Sequence, residues 1–276
     1  MFYEPSTRTN CSFQAAAYKL GSKVIALNDK ASSSEKGESL EDTIKTLQYY
    51  GDAIVLRHPL RGSAERAAKV SGIPIINGGD GNGEHPTQAL LDIFTIYTEL
   101  QKLGIELDTN ERESITITFV GDLKNSRTVH SLIQLLLHFP KLQFRFVSPE
   151  QLDLPVEIFM NILMLNNNEF CKMETYSNLR DAIKKTDVLY MTRVQKERFA
   201  NAEEYKDIME KGARYRLSNE LMNMANENMI VMHPLPRLDE IPTELDNDKR
   251  SVYFKQVENG LYMRMAILDK LFSSAV

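Results

Sequence analysis

Short β-rich runs alternate with helical periods along almost the whole chain, and this alternation sets the first expectation. Phe13, Ala16, Ala17 and Leu20 recur at i, i+3, i+4 and i+7, which predicts a helix closing at Gly21. KVIAL (23–27) then reads as a strand, 39–50 as a helix, AIVLR (53–57) as a strand, 62–71 as a helix and IPIIN (73–77) as a strand. A long helical segment over 87–102 leads into the polar connection GIELDTNERES. The rhythm resumes with ITITFVGD (115–122), a helix over 126–138, FRFVS (144–148), a helix near 156–165, DVLYMT (187–192) and NMIVMHPLP (228–236). A last helix over 259–272 places Leu261, Met265, Leu268 and Phe272 on one face. Strands separated by helices pair in parallel through crossover connections, so the expected class is α/β: two tandem doubly wound parallel-sheet domains followed by a terminal helix.

Composition narrows this picture. The 276 residues leave room for two domains with cores of their own. A hydrophobic share of 42% with 26% charged residues describes a soluble globular chain. The net charge of -5 argues against a general nucleic-acid binder, so any anion site must be a local gathering of arginine and lysine. Cys11 and Cys171 stand far apart with no C-x-x-C spacing, and neither a zinc module nor a disulfide framework is expected. With no run of 18 apolar residues and no signal-peptide pattern at the start, the expected setting is the cytoplasm, without a membrane partner.

The candidate chemistry lies at a helix entrance and at strand ends. Ser6, Thr7, Arg8 and Thr9 stand directly before the first helical period. A helix N-terminus offers unpaired backbone N–H groups and a positive dipole end, and hydroxyls with a forked cation make it a receptor for a tetrahedral oxyanion such as phosphate. In a parallel sheet, ligands bind beyond the carboxyl ends of the strands. Those ends deliver Arg57 and His58, then His85, Thr87 and Gln88 after a glycine-rich turn, then Arg127, then Arg193 and Gln195, and finally His233 to Arg237. Singly, each is an ordinary N-cap or a solvated loop residue. Jointly, they predict a cation-lined cleft between the domains for a small, multiply anionic substrate. VGD followed by LKNSR lacks G-x-G-x-x-G, so no dinucleotide is expected.

EPSTRTNCSFQAA, SSSEKGESLEDT, RHP, GEHPTQALLD, VGDLKNSRTVHSL, TRVQKER and HPLPR, in this order, resemble the catalytic chains of the aspartate carbamoyltransferases within the aspartate/ornithine carbamoyltransferase family. The resemblance implies transfer of a carbamoyl group from carbamoyl phosphate to the amino group of L-aspartate, a step of pyrimidine synthesis that proceeds without cofactor or metal. It implies that Ser6, Thr7, Arg8, Thr9 and Arg57 bind the phosphate, and that Arg8, Thr9 and His85 face the carbonyl oxygen. Gln88 and the backbone at Pro234 and Leu235 would receive the carbamoyl amide group. Arg127, Arg193 and Gln195 would hold aspartate, and Ser32 and Lys36 would enter from a neighbouring subunit of a homotrimer. Lys36 would thus serve both aspartate binding and catalysis. Ornithine carbamoyltransferases have cysteine where this chain has Pro234 and lack the lysine-bearing loop, which favours aspartate as acceptor.

The resemblance divides the chain into a carbamoyl-phosphate-binding domain (1–102), an aspartate-binding domain (103–257) and a C-terminal helix (258–276) that packs on the first domain. Family chains carry roughly forty to fifty residues before the S-T-R-T loop, within the range of ordinary domain sizes. A first helix and most of a first strand are therefore expected to be missing here, leaving Leu261, Leu268 and Phe272 without apolar cover. The alternatives are an inactive truncated subunit with an assembly role, and an ornithine carbamoyltransferase. Regulatory subunits or fusion partners would leave no mark on this sequence.

Overall fold

In the computed structural model, which describes residues 1–27, 37–81, 83–109, 113–165, 171–196, 199, 201–210 and 212–273, the chain forms two compact units, one of residues 1–91 with 257–276 and one of residues 92–256. The first unit opens on α1 (Thr7–Lys19), which ends where Gly21 takes φ 77° and the Ser22 N–H turns back to Ala17 O at 2.9 Å. That left-handed position suits glycine. There follow α2 (Leu40–Leu47), β1 (Ile54–His58), α3 (Ser63–Val70) and β2 (Ile75–Asp80). β1 and β2 pair in parallel. Along the other edge of β1 run residues 1–3, with Met1 N donating to Val55 O at 2.9 Å and Tyr3 N to Arg57 O at 2.9 Å.

Two expectations need correction here. KVIAL (23–27) forms no strand. A strand is defined by its neighbour, and this run meets residue 2 through the Phe2 N–H to Leu27 O bond of 3.0 Å while Ile25 stays 66% exposed. Leu268, expected to lack cover, is buried against Phe13, Ala16 and Ile76, with Leu261 and Met265 packed on the same cluster; Phe272 does remain exposed.

α4 (Pro86–Lys102) begins in the first unit and ends in the second, and α10 (Tyr253–Ser273) runs back. Between them the second unit adds β3 (Ile115–Val120), α5 (Arg127–Leu136), β4 (Leu142–Val147), α6 (Val156–Leu165), β5 (Cys171–Tyr176), α7 (Leu179–Ala182), β6 (Val188–Met191), α8 (Ala202–Glu210), α9 (Asn219–Met224) and β7 (Ile230–Met232). Its five strands are all parallel in the order β5-β4-β3-β6-β7. β3 is buried at every residue because both faces of the sheet are covered. On one face Phe119 lies 5.8 to 5.9 Å, ring to ring, from Phe144, Phe146 and Tyr190. Val120, Val147 and Met191 pack on the other with Leu179, Ile183 and Leu221. Among the described residues, no helix is long and apolar enough to cross a membrane.

Candidate active site

The first unit contributes a helix entrance and a strand end. Ser6 stands at the N-cap of α1, yet its side chain makes no capping hydrogen bond. The first turn contains no acid and includes Arg8, whose side chain is exposed, while Thr9 is buried. A cation at the positive end of a helix dipole is unfavourable in itself and becomes favourable when an anion arrives. At the end of β1, Arg57 Nη1 donates to Gly78 O at 3.1 Å and lies 3.4 Å from His85 Nε2; its Nε is 3.3 Å from Glu4 Oε2. A guanidinium only donates, so Nε2 is the accepting nitrogen of a neutral imidazole and the ring proton sits on Nδ1.

His85 reaches this position through a braced turn. Asp80, buried at the end of β2, accepts the Gly62 N–H at 2.8 Å and the Glu84 N–H at 2.6 Å. Gly81 has φ 59°, and a Cβ there would collide with the Pro59 carbonyl. His85 O then accepts from Gln88 N at 3.0 Å as α4 begins, with Pro86 at its first position, where a missing N–H costs nothing. Gln88 is the third residue of that helix, within its first turn.

In the second unit the strand order reverses between β3 and β6, which are direct neighbours. Such a switch point opens a crevice at the strand carboxyl ends. Arg127 opens α5 just beyond β3, and Arg193 and Gln195 follow β6. Gly121 allows the two strand ends to close up: at φ 113° its position has no room for a Cβ beside Thr192 O. Beyond it Asp122, fully buried, accepts from Asn125 N at 2.9 Å and from Gln195 N at 3.3 Å, while Gln195 Nε2 donates to Asn125 O at 3.0 Å. Burial pushes the Asp122 carboxyl above the ordinary carboxylate range, against the opposing pull of Asn125, Gln195 and His130. After β7, Pro234 and Leu235 follow the buried His233, and Leu235 takes φ 57°.

The sequence-predicted residues therefore fall into groups. Ser6, Thr7, Arg8 and Thr9 share one helix entrance, Arg57 pairs with His85, and Gln195 bonds to Asp122, with Arg127 opening α5 and Arg193 following β6. Ser32 and Lys36 lie outside the described residues. Sequence reasoning missed Asp122 and Asn125 as organisers of their turn. The signal was present in VGDLKN, an acid and an amide three apart right after a strand.

These features define a class of protein: two parallel-sheet α/β units with cationic and hydroxyl groups concentrated at strand and helix ends. Residues 1–98 match the family described as aspartate/ornithine carbamoyltransferase, carbamoyl-P binding domain, and residues 113–271 match its Asp/Orn binding domain. The chain belongs to the aspartate/ornithine carbamoyltransferase family. It is 49% identical over 272 residues to the aspartate carbamoyltransferase catalytic subunit of Clostridium botulinum (strain Alaska E43 / Type E3), spanning 98% of this chain and 84% of that one. It is 48% identical over 276 residues to the multifunctional protein pyr1-3 of Dictyostelium discoideum, covering 100% of this chain but 12% of that much longer one. The crystal structure of Trypanosoma cruzi aspartate transcarbamoylase in complex with carbamoyl aspartate and phosphate matches with a TM-score of 0.89 at 43% identity, over 97% of this chain and 81% of that one.

Proposed function

We propose that this chain transfers the carbamoyl group of carbamoyl phosphate to the amino group of L-aspartate, giving N-carbamoyl-L-aspartate and phosphate. The observation that carries the choice of acceptor is that Arg127 and Arg193 follow the neighbouring strands β3 and β6, in two segments tied together through Asp122, Asn125 and Gln195. Two guanidinium forks suit the two carboxylates of aspartate and repel the ammonium side chain of ornithine.

In this reading the entrance of α1 holds the phosphate through Ser6, Thr7, Arg8 and Thr9, with Arg57 adding charge. The aspartate nitrogen attacks the carbonyl carbon, a C–N bond forms, an oxyanion develops, and the bond to phosphate breaks as the nitrogen gives up a proton to the departing group. Arg8, Thr9 and neutral His85, whose proton is on Nδ1, stabilise the oxyanion as donors aimed where the charge appears. Gln88 and the carbonyls at Pro234 and Leu235 receive the carbamoyl amide. Positioning and electrostatics suffice for such an acyl transfer, without a covalent enzyme intermediate.

Product formation with L-aspartate or L-ornithine as acceptor tests this reading: carbamoyl aspartate alone is expected, citrulline would reassign the acceptor, and no product from either would support the assembly role. We further propose a homotrimer with Ser32 and Lys36 contributed across subunits. A mixture of Lys36→Ala and Arg8→Ala chains should then recover activity that neither has alone, and verified mixed trimers without it would refute sharing.

A further inference from the structure

We propose that His233 is a positioning residue that aims the Pro234 backbone carbonyl at the carbamoyl amide by fixing the Leu235 N–H of the same peptide plane. This rests on the preceding reading, in which that carbonyl receives the amide. The imidazole is buried and occupied at both nitrogens: Leu235 N donates to Nδ1 at 2.8 Å, and Nε2 lies 2.8 Å from Glu240 Oε1. A backbone N–H only donates, so Nδ1 presents its lone pair and the ring is neutral with its proton on Nε2, directed at the carboxylate. Glu240 is suited to receive it. Burial pushes its carboxyl up, but the hydrogen bond and charge of His233 and the N–H groups of Glu240 and Leu238 outweigh this and hold it below the ordinary range. The same Oε1 accepts the Leu238 N–H at 3.1 Å, so the loop from 233 to 240 is wrapped around one imidazole.

The backbone that carries the ring is held as well. The His233 N–H donates to Gln256 Oε1 at 2.9 Å, Gln256 Nε2 donates to Asp92 Oδ1 at 2.6 Å, and the Tyr190 hydroxyl donates to Asp92 Oδ2 at 2.7 Å, all buried. What this rigidity serves is visible at Leu235. Its φ of 57° is a left-handed conformation that a branched side chain resists, and it persists only where the surroundings impose it. The Leu235 N–H lies in one peptide plane with the Pro234 carbonyl, so fixing the direction of that N–H fixes the carbonyl, which points the opposite way in a trans peptide.

Two amide substitutions separate the two ring nitrogens. His233→Asn places an acceptor near Nδ1 and keeps the Leu235 bond; His233→Gln reaches Glu240 and leaves the Leu235 N–H without its acceptor. Calorimetric titration of the folded variants with carbamoyl phosphate and with inorganic phosphate, which lacks the amide, reads the effect. The expected result is carbamoyl phosphate binding weakened about tenfold in the Gln variant and within about threefold of wild type in the Asn variant, as for loss or retention of one hydrogen bond. Phosphate binding should be unchanged in both. Equal loss of both ligands, or an Asn variant as weak as the Gln variant, overturns the proposal. If the wild type binds carbamoyl phosphate no more tightly than phosphate, the reading of the carbonyl falls and the proposal with it; variant failure beside a selective wild type removes the proposal alone.

Discussion

Serine stands at the N-cap of helices in two different ways in this molecule. At α2 and α9, Ser39 and Ser218 accept the N–H groups of Asp42 at 3.1 Å and Leu221 at 3.2 Å, and Glu41, Asp42 and Glu220 supply negative charge in the first turn. At α1 and α5, Ser6 and Ser126 make no capping hydrogen bond, the first turns contain no acid, and Arg8 and Arg127 stand there instead. The first pair of entrances is satisfied from within, by hydroxyl and dipole together. At the second pair an arginine takes the place of the acid in the first turn. The residue type at the cap is the same; what separates a structural helix start from an anion receptor is the company it keeps in the next turn.

The largest effect that would test this contrast is at Arg8. Arg8→Ala should lower kcat/KM about 10³-fold, as for loss of a charged transition-state donor, while the melting temperature changes little, since the side chain is exposed. A fall in melting temperature with activity retained would make α1 an ordinary helix start.

The contrast was partly legible in the sequence, and the parts that were not have physical causes. The α1 and α5 entrances could be found because hydroxyls and arginine directly precede an apolar period. β6 was readable as a continuous apolar run and β3 as a run of β-branched and aromatic residues, as suits strands covered on both faces. β5 was not: CKMETY interleaves Lys172 and Glu174 with apolar residues, as suits the edge position it takes in the sheet. KVIAL looked like a strand because composition reports propensity and not the presence of a partner. That β3 and β6, which lead to Arg127 and Arg193, are neighbours depends on strand order, which no local pattern encodes. The wrapping of the 233–240 loop around His233 depends on Glu240, seven residues on, with nothing in between to announce it.

A middle-sized effect is expected at Asp122, which organises the α5 entrance in place of a hydroxyl cap. Asp122→Asn should raise KM for aspartate about tenfold by weakening charged hydrogen bonds to Asn125 and Gln195, with little change for carbamoyl phosphate. Burial raises this carboxyl's pKa above 3.8, so the native protein binds the proton at higher pH than the unfolded chain does. Its contribution to stability is therefore full below 3.8 and lost as pH rises through the native value, whereas its hold on the turn weakens as pH falls. Wild-type KM for aspartate should converge on that of the variant toward acid pH without a matching loss of fold. Parallel profiles would show that Asp122 does not govern the entrance.

The smallest effects sharpen the contrast from its other side. Ser39→Ala and Ser218→Ala should each cost about 1 kcal/mol of stability and leave kcat/KM unchanged, measured by urea unfolding beside the activity assay. Ser6→Ala should do the reverse. A stability loss at Ser6 equal to that at Ser218 would erase the distinction.

Gly121 and Arg8 stand under opposite kinds of constraint, and that has a consequence for how this sequence can drift over generations. At Gly121 the crowding of Thr192 O leaves the genetic alphabet one letter, whatever the chain is used for. At Arg8 the side chain is exposed, and in the proposed function it is the chemistry that holds the letter. A duplicated copy released from its catalytic duty but still needed as a folded partner would lose Arg8 early and keep Gly121. The letters at these two positions in a diverged copy would tell which obligation had lapsed.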